Sequence, residues 1–307
     1  SPVPMGDGQS FALRLQASRT FRVYSLSFSE PWLGGRKPVR FSLSLSRTQQ
    51  FLASFNSSGQ IDVDKDQQFS ITGISAGLAK RVQWPDDFFV ISHALSYQIY
   101  DFQNYRTGLF NFGNGRSNSL AYTIGITRNS SGPGPIFPLY GSNIELSAKF
   151  TPPYSFFSDK DYGSLKAEGE EIVQQQLEDA QLGQPSDPAL QQRLEEIDQE
   201  RFRWLEYYKV KFKADWYTRI VDKLVLRTNA EFGFLGNYNS DVGKVPFERF
   251  FLGGDGLGRN FTLDGRETIQ LRGYENNSLT PVDPLTQDQE GGIVYNKYSM
   301  ELRYPLT

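Results

Sequence analysis

Apolar and polar residues alternate along most of this chain. Phe41-Ser42-Leu43-Ser44-Leu45-Ser46 alternates without a break, and so do Leu120 to Thr127 and Tyr208 to Trp216. Successive side chains of an extended strand point to opposite faces, so each run is a strand with one apolar face. The same reading gives ten strands, over 11–18, 21–31, 39–49, 68–81, 88–102, 117–129, 142–151, 206–220, 223–235 and 293–304. In the fourth, apolar parity switches between Ile71 and Ile74, which places a β-bulge at Gly73. Connections such as Pro31-Trp32-Leu33-Gly34-Gly35, Trp84-Pro85-Asp86-Asp87 and Val221-Asp222 read as turns, and 130–141 is a longer Gly/Pro-rich link. No βαβ rhythm intervenes, so the sheet is all antiparallel.

The second face of these strands decides between a soluble sandwich and a membrane barrel. It carries Glu145 and Lys149, then Lys209, Lys211, Lys213 and Asp215, then Arg227 and Glu231, and finally Lys297, Glu301 and Arg303. A sandwich with a solvated outer face would account for that charge. Its strands, however, average about five to six residues, whereas the runs here reach the length that crosses a bilayer, about nine to eleven. Aromatic residues also gather at strand ends, among them Phe28, Trp32, Trp84, Phe88, Phe89, Tyr100, Phe102, Trp204, Tyr207, Tyr208, Trp216 and Tyr217, where the girdles of a transmembrane barrel lie. Strand length and aromatic placement favour the barrel.

Composition narrows the chemistry. The 307 residues include 24 Phe, 16 Tyr and 4 Trp, so 14% are aromatic, in a chain whose mean hydropathy is only −0.49. There is no Cys and a single His, which excludes thiol catalysis, disulfides, Cys-ligated metal and any mechanism needing two imidazoles. His93 lies between Ile91 and Leu95 on the apolar parity of its strand and so points away from any internal site. Asp255, Asp264, Asp283 and Asp288 have no spacing of a calcium loop and read as solvated loop acids, so no metal, cofactor or catalytic residue is expected. No run approaches the ~18 apolar residues of a membrane-spanning helix, and the opening SPVPMGDG has no signal-peptide core.

The net charge of −3 is unevenly distributed. Residues 167–203 hold ten acids against three bases, −7, leaving +4 for the rest, too little and too scattered for nucleic acid. That acidic stretch, within a 159–205 insertion, is Glu/Gln/Leu-rich with a Pro-Ser-Asp-Pro break, which predicts two helices over 168–182 and 188–203. Leu190, Leu194, Ile197 and Arg201 fall at helical spacing on the second, in a hairpin read as solvated rather than as a docking surface. Links after the even strands are shorter on the whole. Those after the odd ones include the 159–205 insertion and a 236–292 connection, the long-loop, short-turn asymmetry of outer-membrane barrels.

The 236–292 connection reads Phe247-Glu-Arg-Phe250-Phe251-Leu-Gly253-Gly254 and, after a spacer, Leu271-Arg272-Gly273-Tyr274. This resembles the Omp85 superfamily, and within it the branch that folds and inserts other outer-membrane proteins. There an aromatic approach and a Gly-Gly lead to an apolar-Arg-Gly-aromatic tip on an extracellular loop that folds into the barrel lumen. Tyr298-Ser-Met-Glu301-Leu-Arg-Tyr-Pro is similar to the family strand whose inward carboxylate pairs with the tip arginine, and parity puts Glu301 on the polar face. The physical fit is a planar, permanently charged fork locking a loop to a carboxylate. Ser29 to Gly35 and Phe137-Pro-Leu-Tyr-Gly-Ser-Asn143 are also similar to family turns. The resemblance implies that residues 1–307 are a partial outer-membrane barrel, strands three to twelve of sixteen, without the POTRA domains and the seam between first and last strands. The spacer 255–270 and the acidic insertion depart from the family pattern.

What the resemblance implies is an assembly factor, not an enzyme, in the cell outer membrane. Its partners would be unfolded outer-membrane clients, accessory lipoproteins of an assembly complex, the lipid bilayer and lipopolysaccharide, and not nucleic acid. The alternatives are a passive or substrate-specific channel and an Omp85-type translocation pore. A barrel-borne hydrolase would need a base, for which His93 is the sole histidine.

Overall fold

The computed structural model describes residues 8–305 apart from 36–37, 56–59, 106–112, 133, 135, 184, 186, 255–266 and 283–288. Ten strands form one antiparallel meander: β1 (Ser10–Ala17), β2 (Phe21–Glu30), β3 (Val39–Phe55), β4 (Ile61–Val82), β5 (Phe89–Gln103), β6 (Gly115–Asn129), β7 (Gly141–Phe150), β8 (Tyr208–Val221), β9 (Leu224–Gly236) and β12 (Val294–Arg303). Each pairs with its sequence neighbour, and β12 pairs with β9 across the long connection. Two short strands within that connection, β10 (Phe250–Leu252) and β11 (Glu267–Ile269), pair in parallel. The alternation in the sequence thus becomes the antiparallel sheet it implies. β3 and β4 run longer than the periodicity indicates, because their extensions, Leu52 to Phe55 against Ile61 to Asp64, pair with each other beyond a register shift.

Register turns the period-two pattern into continuous rows. Leu13, Leu26, Leu45, Ile74, Tyr97 and Leu120 face one another across β1 to β6. Ile91, Ile126, Leu146, Phe212 and Phe232 continue the belt across β5 to β9. This is the outer face, and Leu13, Leu45, Ile74, Leu95 and Leu146 on it are exposed. His93 sits here as its parity requires, between Leu78 and Ile124, and its Nδ1 lies 2.6 Å from the Tyr122 hydroxyl. The opposite face alternates charge: Glu145, Lys213, Glu231 and Lys297 are neighbours across β7, β8, β9 and β12. Glu231 accepts from Lys297 at 3.3 Å and lies 4.0 Å from Lys213.

Gly73 is not a bulge. Thr72, Gly73 and Ile74 pair in unbroken register with Arg47, Ser46 and Leu45, and the irregularity in this ladder lies between Phe51 and Leu52. The parity switch has a different cause: Phe69 and Ile71 face inward, where an aromatic cluster from the 236–292 connection covers them. Two apolar residues on the polar parity record a buried patch rather than an extra residue.

The acidic insertion folds as α1 (Tyr162–Gln181) and α2 (Pro188–Arg201). α1 starts six residues before the predicted 168. α2 begins where Asp187 caps it, its carboxylate accepting from Ala189 N at 2.9 Å with Pro188 at the first position. Ile172, Leu194 and Ile197 make a small core between the helices, and Arg193 grips Glu168 through two bonds of 2.6 and 2.9 Å. The hairpin is tied down rather than free. Gln199 exchanges two hydrogen bonds with the backbone of Arg116 at the start of β6, and Arg201 donates to the Val242 carbonyl at 3.0 Å. Among the described residues no helix is long and apolar enough to cross a membrane.

The outer belt generates a test. Ile74→Arg places a charge in the apolar rows and is expected to cost about 2–4 kcal/mol of unfolding free energy in phospholipid bilayers. Ser75→Arg, one residue along on the inner face, is expected to cost far less.

Candidate functional site

The site is the seat of the 236–292 connection on the inner face. β8 presents Lys209 and Lys211 there, β7 presents Lys149, and three like charges within one or two strand spacings repel unless acids come to them. The connection supplies two. Glu248 accepts from Lys149 Nζ at 2.6 Å, Lys209 Nζ at 3.0 Å and the Tyr207 hydroxyl at 2.7 Å. Glu267 accepts from Lys209 Nζ at 2.6 Å and Lys211 Nζ at 2.8 Å. The Lys209 ammonium also donates to the Glu248 carbonyl at 2.8 Å and sits 4.5 Å from the centre of the Phe250 ring. Its three donors are therefore all used, which is what lets an ammonium side chain sit only 5% exposed.

Burial pushes the Glu248 carboxyl up, but Lys149 and Lys209 more than offset that and hold it at about 2. Glu267 is likewise raised by burial and lowered, on balance, by Lys209 and Lys211.

Aromatic packing surrounds the ion cluster. Phe247 lies against Tyr100 with ring centres 4.3 Å apart and stacks near Phe69 and Phe102, so the connection reaches β4 and β5. Phe250 meets Tyr295 of β12 edge-on at 4.7 Å. Gly233 of β9 makes room for both: a Cβ there would collide with the rings of Tyr295 and Phe250. Phe251, fully buried, packs over Gly291. β10 is held on both sides, by β11 and by a bridge in which Phe250 and Gly292 exchange bonds of 2.8 and 2.7 Å.

The tip grows out of this platform. The Gly253 amide donates to the Ile269 carbonyl, the Gly254 amide to the Tyr274 carbonyl, and the Gly254 carbonyl accepts from Leu271. Leu271 to Tyr274 close a four-residue turn, Tyr274 N to Leu271 O at 3.3 Å, with Gly273 at φ +88°, the left-handed region that favours glycine. Arg272 occupies the second position, exposed.

Glu301 has partners other than the expected one. Its carboxylate accepts from Arg227 at 2.7 Å and from Arg303 at 2.7 Å, and Arg227 also holds Asp215 at 2.7 Å. Arg272 makes no ion pair among the described residues. The physical reason is distance along the strand: Tyr295, where β12 meets the connection, is six residues from Glu301, about 20 Å at ~3.3 Å per residue. Phe250, Phe251, Gly253, Gly254, Leu271, Gly273 and Tyr274 come together in one unit, whereas Glu301 lies apart from it. The sequence placed Lys149 on the charged face but read Tyr207 as a girdle aromatic, whereas it is buried against Glu248; Glu248 and Glu267 were not singled out, and the available signal was the Lys209-x-Lys211-x-Lys213 row on one strand face. Asp255, Asp264, Asp283 and Asp288 lie outside the described residues, and no cluster of potential metal ligands occurs among the described ones.

A family model described as the Omp85 superfamily domain matches residues 5–186 and 189–307. No curated protein matches the chain. Among solved structures, it is similar to BamA from Haemophilus ducreyi lacking POTRA domains 1–3, with a TM-score of 0.59 and 18% identity over 97% of this chain and 48% of that one. CdiB from Escherichia coli is more distant, with a TM-score of 0.42 and 12% identity over 78% of this chain and 35% of that one. The chain thus spans about half the length of the BamA structure and shares its barrel fold.

Two outcomes follow from the ion cluster. Glu248→Gln leaves Lys149 and Lys209 buried without their shared carboxylate, a loss of about 3–5 kcal/mol, and hydrogen exchange of the 247–252 amides should accelerate on the order of a hundredfold or more. Because the Glu248 carboxyl is held at about 2 in the folded chain, below the usual ~4.3 of a free glutamate, the seat is fully stable above pH ~4.5. It should weaken only as pH falls from there towards 2, so the protection factors of the same amides, with each measured rate taken against the intrinsic exchange rate at that pH, should be alike at pH 7 and 5 and fall below about 4.

Proposed function

The chain belongs to the Omp85 superfamily, and from that premise we propose that it folds and inserts β-barrel client proteins in the outer membrane. What supports this over a passive channel is the seat just described, in which Glu248 and Glu267 fasten the 236–292 connection to Lys149, Lys209 and Lys211. An apolar outer belt suits lipid, and an inner face occupied by a fastened loop is a poor conduit for solutes.

In this reading no covalent bond is made or broken. A client strand cannot enter hydrocarbon with bare amides and carbonyls, so it must pair as it enters, and an unpaired strand edge is the partner that satisfies it. Exchange at an edge puts the rest of the sheet under strain. The fastened connection counters this by joining β4 and β5, through Phe247, to β8 and β12, through Lys209 and Tyr295. Arg272, exposed on a tight turn, is free to meet anionic headgroups or client backbone. The partners in this reading are unfolded outer-membrane proteins, the lipopolysaccharide-bearing bilayer and accessory lipoproteins of an assembly complex.

Insertion of an unfolded client barrel into vesicles containing the protein, read by protease protection of the client, is the experiment. Arg272→Glu and Glu248→Gln are each expected to slow insertion about tenfold, equivalent to about 1.4 kcal/mol. No insertion by the parent protein, together with ion conductance that rises in Glu248→Gln, would instead establish a gated channel.

A further inference from the structure

The turn that follows β7 has a built support that meets the loop seat only at Tyr207. Thr151 and Tyr207 exchange bonds, Tyr207 N to Thr151 Oγ1 at 2.7 Å and Thr151 N to Tyr207 O at 3.0 Å, which pins the chain as it leaves the sheet. Tyr154 to Phe157 then form a single 3-10 turn. Glu206, 1% exposed, accepts from Ser155 N at 2.7 Å and from Ser155 Oγ at 2.9 Å, so a buried carboxylate fixes this turn from beneath. On the far side of it Phe156 and Phe157 are 66% and 83% exposed. A short turn with so firm a support, spent on displaying two bare phenyl rings, is not what a solvated loop needs.

Through Tyr154 this turn abuts the outer belt. Tyr154 packs on Trp204 at 4.8 Å, and Trp204 lies 6.4 Å from Tyr97, which stands in the apolar row with Ile74 and Leu120. Phe150, the last residue of β7, faces outward between Tyr122 and Tyr208. Tyr208 is followed by Phe234 and Tyr238 at 5.9 and 5.4 Å. The surface from Tyr97 to Tyr238 is thus an aromatic band at the long-loop end of the sheet, with Phe156 and Phe157 beyond it.

We propose that Pro152 to Phe157 is a lipid wedge: a preformed turn that inserts Phe156 and Phe157 into the headgroup–acyl boundary of the adjoining leaflet, with Glu206 as its positioning residue. The occupant is lipid because the turn abuts, through Tyr154 and Trp204, the belt that faces lipid, and the inference rests on that membrane reading. Phenyl side chains on a rigid support lose little conformational freedom on insertion, so the wedge holds the β5–β8 wall at a fixed depth while the connection on its inner side stays seated.

Spin labels test it, since the 307 residues contain no native cysteine. Phe157→Cys is compared with Leu146→Cys in the belt and Leu182→Cys, an exposed position just past the end of α1, in the full chain reconstituted in dioleoylphosphatidylcholine vesicles. The expected result is high oxygen and low nickel-chelate accessibility at 146 and 157 and the reverse at 182. A lipid-exposed label at 146 with a water-exposed label at 157 overturns the wedge alone. Water exposure at 146 as well overturns the membrane reading beneath it. Adding Glu206→Gln should raise the mobility of the 157 label and its nickel accessibility by at least twofold while 146 is unmoved; no change at 157 overturns the positioning role of Glu206.

Discussion

The arrangement of the inner face depends on one buried ammonium group. Lys209 stands on β8 with Lys149 beside it on β7 and Lys211 along the same face, and an ammonium this enclosed is tolerable only if each proton finds an acceptor. Glu248 and Glu267 come from positions on either side of residues 255–266, so satisfying Lys209 brings both arms of the long connection to the same point of the wall. The parallel pairing of β10 with β11, the burial of Phe250 over Gly233 and the closure of the Leu271–Tyr274 turn all proceed from that convergence.

The two faces of the sheet then divide the labour. Outward, rows of Leu, Ile, Phe and Tyr run across the strands, and the hydroxyl of Tyr122 satisfies the one histidine among them. Inward, one row alternates charge from Glu145 through Lys213 and Glu231 to Lys297, while the like-charged Lys149 and Lys209 take their counter-ions from the connection. The acidic hairpin joins the same economy at the long-loop end: Gln199 binds the start of β6 and Arg201 the connection at Val242, so two insertions far apart in sequence brace one another.

Arg272 and Glu301 illustrate how a correct parity can accompany a wrong partner. Glu301 does face inward, yet Arg227, directly opposite it on β9, and Arg303, two residues along, are the groups bonded to it. The tip is held instead by backbone bonds from the Gly-Gly segment, which leaves its guanidinium exposed on the turn. A loop fastened at its base and exposed at its tip is suited to contact with something outside the wall.

The sequence by itself determined the strands, their antiparallel order and which face of each is apolar, because period-two alternation is a local property that survives any tertiary arrangement. It also determined the two helices, whose signals lie within a few residues. Ile71 and Gly73 were misread because a patch of the inner face is apolar only where Phe247 covers it, and nothing near residue 71 records what arrives from residue 247. The same holds for Glu248 with Lys149 and for Glu206 with Ser155, pairs separated by 99 and 51 residues. Counter-ions are chosen by proximity after folding, and only the tertiary structure, which sets those distances, could decide them.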